Sequence, residues 1–392
     1  MKGPKDSLLR ARREGEETRV GFVELFFYLV FVFAITQLSH FLLEHFTLLG
    51  AVQTTLLLMA VWWVWIYTSW VTNWLDPDKT PVRLMLFLLM LAGPVLSTSI
   101  PEAFEDRVLT LALAYVFMQL SRTFFTMRAL RGVSPANSQN FQRIMVWLTV
   151  SAVFWIAGGV ADHGAWLALW AVAVAIEHVS PAVGFFVPGL GRSETTDWDV
   201  EGSHLAERCG LIIIIVLGES ILVTGATFAR LDWTPVNASA FVVALIGSIA
   251  MWWIYFNIGA ERGSRHIAKS KDPGRVARIA YTYLHLLLVG GIILSAVGDG
   301  LVLAQPLGPV EMNTAIAVVG GSALYVAGNL LFKQTITGRW PLSHLIGLGL
   351  LALVALLTPV VAPLILSLAS AVALIVVAAW ETRFSPRGHV EA

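Results

Sequence analysis

Long apolar stretches separated by short polar segments recur along the whole 392-residue chain. Each stretch runs for about 18 residues or more with few or no charged side chains, which is long enough for a helix to cross a bilayer. A helix also satisfies its own backbone hydrogen bonds where no water is present. The pattern predicts about twelve transmembrane helices, at residues 22–43, 50–73, 82–100, 107–128, 141–160, 165–187, 204–226, 236–258, 276–298, 312–332, 342–358 and 361–380.

The composition supports the same class of protein. Hydrophobic residues make up 57% of the chain and charged residues 13%, whereas about a quarter of the residues of a soluble protein are charged. The mean hydropathy is +0.73. We therefore predict an all-α polytopic membrane protein whose surroundings are membrane lipids. A formal net charge of zero gives no indication of a nucleic-acid partner.

The chain contains a single cysteine, Cys209. One cysteine excludes an intrachain disulfide bond and any metal site built from several cysteines. We expect no cofactor, and the site residues that we favour include no metal ligand.

Positive charges are distributed unevenly between the predicted loops, and this indicates an orientation. If both termini face the cytoplasm, every Lys and Arg except Arg107 and Arg230 falls on the inner side or near an inner helix end. The inner side then includes the basic loop AERGSRHIAKSKDPGRVAR at 260–278. Because short loops rich in Lys and Arg stay in the cytoplasm, we predict cytoplasmic termini and an even number of spans.

Similar short segments recur in the two halves of the chain and predict two six-helix repeats. WWVWIY at 62–67 resembles WWIYF at 252–256, and YVFMQL at 115–120 resembles YVAGNL at 325–330. Transporters often contain such repeats, with a binding site between the halves. The predicted organisation is a basic cytoplasmic segment 1–20, a first half 21–187, an acidic cytoplasmic linker 188–203, a second half 204–381 and a cytoplasmic tail 382–392.

Several polar side chains are predicted near the inner ends of the spans. The members of this inner polar network are Glu24, Tyr28, Arg122, His204, Glu207 and Arg208. Three interpretations stay open. The network is structural, with Glu24 at the N3 position of a helix capped by Gly21; it is a gate that contacts a substrate; or His204 and Glu207, spaced i and i+3, bind a metal ion.

A deeper layer contains four protonatable side chains, namely Glu177, His178, Glu219 and His285. Ionisable groups inside a membrane are costly and usually functional, and burial disfavours the charged form of a carboxyl group. We therefore predict that these residues bind a substrate or a proton. The alternative is that the acids are protonated and only hold neighbouring helices together. Pro181, one turn after Glu177, predicts a kink in its span.

Two further features depend on helix position. Asp299 is predicted at an outer helix end, where water solvates it. The pairs Gly290/Gly291 and Gly320/Gly321 predict close contact between helices, because small residues let two backbones approach.

Two sequence motifs resemble those of a known family. ELFFYLVFVFAITQLSH in the first span and HLAERCGLIIIIVLGES at 204–220 resemble segments of the bacterial low-temperature-requirement A (LtrA) family. The resemblance implies an integral protein of a bacterial inner membrane, linked by name to growth in the cold, without a settled activity. Tyr28 departs from the family pattern, which usually has aspartate there. The matched positions are Glu24, Phe26, Phe27, Gln37, His204, Glu207, Arg208, Gly218 and Glu219.

The leading hypothesis is a proton-coupled secondary transporter of a small solute or a lipid-like molecule, with a role in cold or stress adaptation. One alternative is an intramembrane lipid-modifying enzyme that uses His204, Glu207 and Glu219. No Gly-x-Ser-x-Gly, His-Glu-x-x-His or phosphate-loop motif supports that alternative. The other alternative is a membrane stress-adaptation protein that transports nothing and uses its polar groups for packing.

Overall fold

The computed structural model describes residues 7–10, 20–161, 164–195, 198, 201–257, 263, 267, 270 and 272–384. Helices dominate these residues, and the only β-pairing among them is two isolated bridges. The helices are α1 (Phe22–Glu44), α2 (Leu48–Trp74), α3 (Thr80–Ser99), α4 (Val108–Leu130), α5 (Pro135–Val160), α6 (Trp166–Val179), α7 (Gly202–Phe228), α8 (Pro235–Phe256), α9 (Pro273–Ala304), α10 (Met312–Thr337), α11 (Leu342–Ala355) and α12 (Pro363–Phe384).

Ten of these helices are long and apolar enough to cross a membrane, and α6 and α11 are shorter apolar helices. The prediction of an all-α polytopic membrane protein is confirmed. The two short helices have 14 residues each. At 1.5 Å per residue each is about 21 Å long, less than the hydrocarbon thickness of about 30 Å.

The sixth helix is shorter than the sequence predicts. It ends at Val179 instead of continuing to residue 187, and the chain turns where a kink was predicted. Pro181 has no N–H to donate to the carbonyl of Glu177, four residues earlier. The hydroxyl of Ser180 donates to that carbonyl instead, at 2.7 Å. Glu177 therefore lies near the C-terminal end of α6 and not in the middle of a long span.

Contacts divide the chain into two units. Unit 1 comprises Met1–Arg208 and Ala268–Arg278, and in it α1 packs on α3, α3 on α4, α4 on α5 and α5 on α6. Unit 2 comprises Cys209–Ile267 and Ile279–Ala392, and in it α8 packs on α12, α9 on α10 and α11 on α12. Two of the three unit boundaries fall within α7 and α9. The duplication of halves inferred from sequence stays a prediction.

The outward surface is apolar, while several charged side chains are buried. Leu222 is 67% exposed and Val360 76% exposed, and many other large apolar side chains face outward. Glu24, Arg122 and Arg208 are at most 2% exposed. A water-soluble protein shows the opposite distribution, so the surface is suited to contact with lipid.

Glycines let α9 and α10 cross with their backbones in contact. A Cβ atom on Gly291 would lie 2.6 Å from the backbone nitrogen of Tyr325, and one on Gly321 would lie 2.6 Å from that of Ser295. No real Cβ atom fits at such a distance. Gly291 and Gly321 therefore make the close contact predicted for the two glycine pairs. A Cβ on Gly320 would lie 3.9 Å from the nearest side chains, which is an ordinary contact distance.

Both helices of this crossing contain a π-helical segment. In α9 it spans Ala277–Leu284, and in α10 it spans Ile316–Gly320. A π-helical segment widens the turn locally and often accompanies a functional site. In α10 the ladder of α-helical hydrogen bonds is thus interrupted directly before Gly321.

Candidate functional site

Glu24 caps its own helix. Gly21 has the extended backbone typical of an N-cap residue, and its N–H donates to Oε2 of Glu24 at 2.8 Å. Glu24 therefore stands at N3, as predicted from the sequence. The carboxylate accepts a hydrogen bond from one of the amides that a helix start leaves without an intrahelical partner.

Two arginines and a histidine surround the same carboxylate in unit 1. Arg208 Nη2 forms a close ion pair with Oε1, and Arg10 Nη2 lies 3.3 Å from the same oxygen. His204 Nε2 lies 3.6 Å from Oε2, which is too long for a hydrogen bond. The Glu24 and His204 side chains are fully buried and that of Arg208 nearly so. We call Glu24, Arg10, His204 and Arg208 the Glu24 cluster.

Arg10 was not among the residues predicted from the sequence. Its N–H donates to the carbonyl of Trp74 at 2.8 Å, and the N–H of Asp76 donates to the carbonyl of Leu8 at 2.9 Å. These bonds form an isolated bridge that holds residues 7–10 beside the C-terminal end of α2. A basic residue in an N-terminal segment has no periodicity that would single it out, so the sequence contains no signal for this contact.

Tyr28 and Glu207 are placed differently from the predicted network. The Tyr28 ring is fully buried, and Arg208 Cζ lies 5.9 Å from its centroid, within the range of a cation–π contact. Glu207 is exposed, and its Oε2 accepts a hydrogen bond from Val20 N at 3.2 Å. His204 and Arg208 thus face Glu24, while Glu207 faces the segment before α1.

A second buried cluster surrounds Glu177. Ser151 donates to Oε1 in a short hydrogen bond, and Trp155 Nε1 donates to the same oxygen at 3.0 Å. The hydroxyl of Tyr115 donates to Oε2, again in a short hydrogen bond. The three donors come from α4 and α5, while Glu177 comes from α6. We call Glu177 with Tyr115, Ser151 and Trp155 the Glu177 cage.

The Glu177 cage is connected to Arg122 along one face of α4. Gln119 Nε2 donates to the Tyr115 hydroxyl at 2.8 Å, and Gln119 Oε1 accepts a short hydrogen bond from Arg122. Arg122 Nη1 also donates to the carbonyl of Val64 at 3.1 Å. Residues three and four positions apart share a helix face. This explains why Arg122, which the sequence groups with Glu24, makes its hydrogen bonds beside the Glu177 cage.

The other predicted deep residues have separate surroundings. His178 lies next to Glu177 in sequence, but its Nδ1 is 2.9 Å from the carbonyl of Val174 and its ring stacks on Trp63 at 3.9 Å between centroids. In unit 2, His285 Nε2 is 2.8 Å from the Tyr255 hydroxyl and its Nδ1 is 2.8 Å from the carbonyl of Ala280. Glu219 is buried on α7.

Unit 2 also contains a buried ion pair that the sequence did not reveal. Lys333 Nζ lies 2.6 Å from Glu381 Oε2 and donates to the carbonyl of Ile254 at 3.0 Å. Ser343 contributes a longer hydrogen bond to Glu381 at 3.4 Å. These contacts join α8, α10, α11 and α12. Lys333 follows the predicted end of its span, so the sequence places it at a solvated helix end.

Candidate metal ligands are dispersed. Among the residues that the structure describes, no group of three or more His, Cys, Asp or Glu side chains could hold a metal ion. His204 and Glu207, the pair considered for a metal site, contact different partners. Cys209 is buried, and its Sγ donates to the carbonyl of Tyr281 at 3.9 Å.

The long apolar helices define a polytopic helical membrane protein. Its buried polar clusters combine side chains from several helices. The chain belongs to the family described as bacterial low temperature requirement A protein (LtrA), whose profile matches residues 19–379. It is 41% identical over 367 residues to an uncharacterized protein, RA0937, of Rhizobium meliloti (strain 1021), covering 93% of this chain and 90% of that protein. No solved structure matches the chain.

Proposed function

We propose that this LtrA-family protein is a proton-coupled secondary transporter of a small solute or a lipid-like molecule, and that Glu177 carries the coupled proton. The observation that supports the proposal is the Glu177 cage. Tyr115, Ser151 and Trp155, from two other helices, donate to the Glu177 carboxyl group there, and Gln119 Nε2 lies 3.5 Å from its Oε2. Glu219, His178 and His285 are proposed as further substrate-binding or proton-binding groups.

Protonation of Glu177 changes the hydrogen bonds that the cage can make. An ionised carboxylate only accepts, and it accepts from Tyr115, Ser151 and Trp155 at once. A protonated carboxyl group must donate one hydrogen bond, so Tyr115 or Ser151 has to become an acceptor and turn its own proton elsewhere. Trp155 can only donate. Uptake of a proton therefore rearranges contacts between α4, α5 and α6, which is the kind of link between charge and packing that transport requires.

Hydrogen bonds from Tyr115 through Gln119 to Arg122 extend the rearrangement beyond the Glu177 cage. Tyr115 accepts from Gln119, and Gln119 accepts from Arg122. If the Tyr115 hydroxyl turns away from Glu177, the hydrogen bond that Gln119 Nε2 donates to it changes, and Gln119 also accepts from Arg122. Hydrogen bonds in such chains polarise one another. A change at Glu177 is thereby transmitted along α4 toward the carbonyl of Val64 in α2.

The proposed setting is a bacterial inner membrane with both termini in the cytoplasm, surrounded by membrane lipids. The distribution of Lys and Arg supports this orientation. The Glu24 cluster supports the second candidate function, a membrane stress-adaptation protein in which buried charges serve packing. In that cluster the acid caps its helix and is paired with two arginines, so its contacts are accounted for without a ligand.

The test uses purified protein in liposomes that enclose a pH-sensitive dye. A potassium gradient with valinomycin imposes a membrane potential, and the rate of proton uptake is measured with and without each member of a panel of small solutes. We expect solute-dependent uptake in the natural sequence and its loss in Glu177→Gln. Glu44→Gln, an exposed acid at the end of α1, is the matched control. Unchanged uptake in Glu177→Gln would exclude Glu177 as the coupling acid.

A further inference from the structure

Unit 2 contains a small, partly open cavity between α7, α8, α9, α10 and α12. Its volume is about 30 Å³, which accommodates about one water-sized particle or a dehydrated ion. The lining is rich in oxygen atoms from side chains. The principal oxygen-bearing residues are Ser220, Ser248, Ser295, Asp299, Ser322 and Ser367.

Asp299 is the acidic residue of this cavity. The sequence predicts a solvated position at an outer helix end, but α9 continues to Ala304 and Asp299 lines the cavity instead. Among the residues that the structure describes, its carboxylate forms no hydrogen bond and no ion pair. Asp299 is half-buried. A carboxylate in such a position is costly unless water or an ion in the cavity solvates it.

Three serine hydroxyls of the cavity lining, those of Ser220, Ser295 and Ser322, form no hydrogen bond within the described residues, whereas that of Ser370 does. Serine in a helix commonly donates to the carbonyl four residues earlier, as Ser370 does to Leu366 at 3.0 Å. Ser220 is 3% exposed and Ser322 is 5% exposed, yet neither hydroxyl forms a hydrogen bond within the described residues. The hydroxyl of Ser295, one turn before Asp299, is likewise buried and without a partner. These oxygen atoms are available to a ligand in the cavity.

The backbone geometry fixes the two sides of the cavity against each other. A Cβ on Gly298 would lie 2.9 Å from the backbone nitrogen of Val318, and Gly321 contacts the backbone of Ser295. The π-helical segment Ile316–Gly320 of α10 lies at this same crossing and includes Val318, which lines the cavity. The helices that carry Asp299 and Ser322 are therefore held at a short, defined separation.

We infer that this cavity binds a monovalent cation, and that Na⁺ is the ion whose size and preference for oxygen donors fit it. Carboxylate and hydroxyl oxygens are hard ligands suited to hard cations. One carboxylate neutralises one positive charge, and the described residues that line the cavity include no second acid. A divalent ion would keep an uncompensated charge among apolar neighbours such as Val243 and Ile292. The inference goes beyond the proposed function, because cation binding here does not depend on Glu177 or on proton coupling.

The test measures thermal unfolding of the full-length protein in lipid nanodiscs, followed by tryptophan fluorescence, while NaCl replaces N-methyl-D-glucamine chloride at constant ionic strength. A ligand that binds the folded state raises its stability in a saturable way. We expect saturable stabilisation by Na⁺ in the natural sequence. In Asp299→Asn the half-saturating Na⁺ concentration should rise at least about tenfold, since the charged ligand is lost. Asp232→Asn, an exposed acid of the same unit, should behave like the natural sequence.

A second variant guards against loss of folding in Asp299→Asn. Ser295→Ala combined with Ser322→Ala keeps the carboxylate but removes two oxygen ligands, and binding of radioactive sodium to it should be weaker than to the natural sequence. Stabilisation that is equal for Na⁺ and N-methyl-D-glucamine would overturn the inference, and so would Na⁺ affinity unchanged in both variants. Proton uptake is measured separately in the liposome assay. A failure of Na⁺ binding at Asp299 can therefore be told apart from a failure of the proposal for Glu177.

Discussion

Replacing Glu24 with glutamine keeps the size of the side chain but removes the negative charge beside Arg208 and Arg10. The two arginine side chains are 2% and 10% exposed, so neither guanidinium group can recover its hydration without local unfolding. Removing one partner of a buried ion pair costs about 3–5 kcal/mol. The amide oxygen of glutamine can still accept from Gly21, so the helix cap contributes little to the loss. We expect the free energy of unfolding to fall by about 3 kcal/mol or more.

The assay is reversible unfolding in mixed micelles by titration with sodium dodecyl sulfate, followed by tryptophan fluorescence. Glu24→Ala should lose about 1 kcal/mol more than Glu24→Gln, because alanine also removes the cap. Glu44→Gln, at the exposed end of the same helix, should lie within about 0.5 kcal/mol of the natural sequence. A loss below about 1 kcal/mol in Glu24→Gln would refute the reasoning, since it would mean that water or another group solvates the arginines.

Two further variants test specific contacts by the same assay. Tyr28→Asp places the residue usual in the family beside Arg208. We expect this substitution to lower the free energy of unfolding less in the Glu24→Gln background than in the natural sequence. If the costs of the two substitutions were strictly additive, Tyr28 and Glu24 would not share an interaction with Arg208. Gly291→Ala should lower the free energy of unfolding by about 1–3 kcal/mol, because its Cβ meets backbone atoms of α10. Gly349→Ala, a control whose Cβ meets no described atom, should be neutral or stabilising. Equal effects of the two substitutions would show that α9 and α10 move apart without cost.

The helices of this protein could be predicted from the sequence, because apolar length determines whether a segment crosses a bilayer. Their ends were less predictable where local hydrogen bonding decides them. In α6 the apolar pattern continues past Val179, but Pro181 removes a donor and Ser180 bonds to the carbonyl of Glu177. The N3 position of Glu24 could be predicted, since a helix start depends on residues adjacent in sequence.

The composition of the buried clusters could be predicted only in part. Periodicity indicates which residues share a face of one helix, but not which face of another helix they meet. Arg208 was correctly associated with Glu24, whereas Arg122 contacts Gln119 and Val64. The position of Asp299 near the end of a span suggested solvation, because sequence indicates depth and not the direction in which a side chain points.

The Glu24 cluster has a consequence for the order in which the chain is made. Glu24 and Arg208 are 184 residues apart, so at about 5–20 residues per second the ribosome completes Arg208 about 10–40 s after Glu24. Arg10 precedes Glu24 and is attached to the same nascent segment. Of its two arginine partners, Arg10 alone is present while the first helix enters the bilayer. Arg10 can therefore neutralise Glu24 until α7 has been synthesised and Arg208 pairs with the same carboxylate.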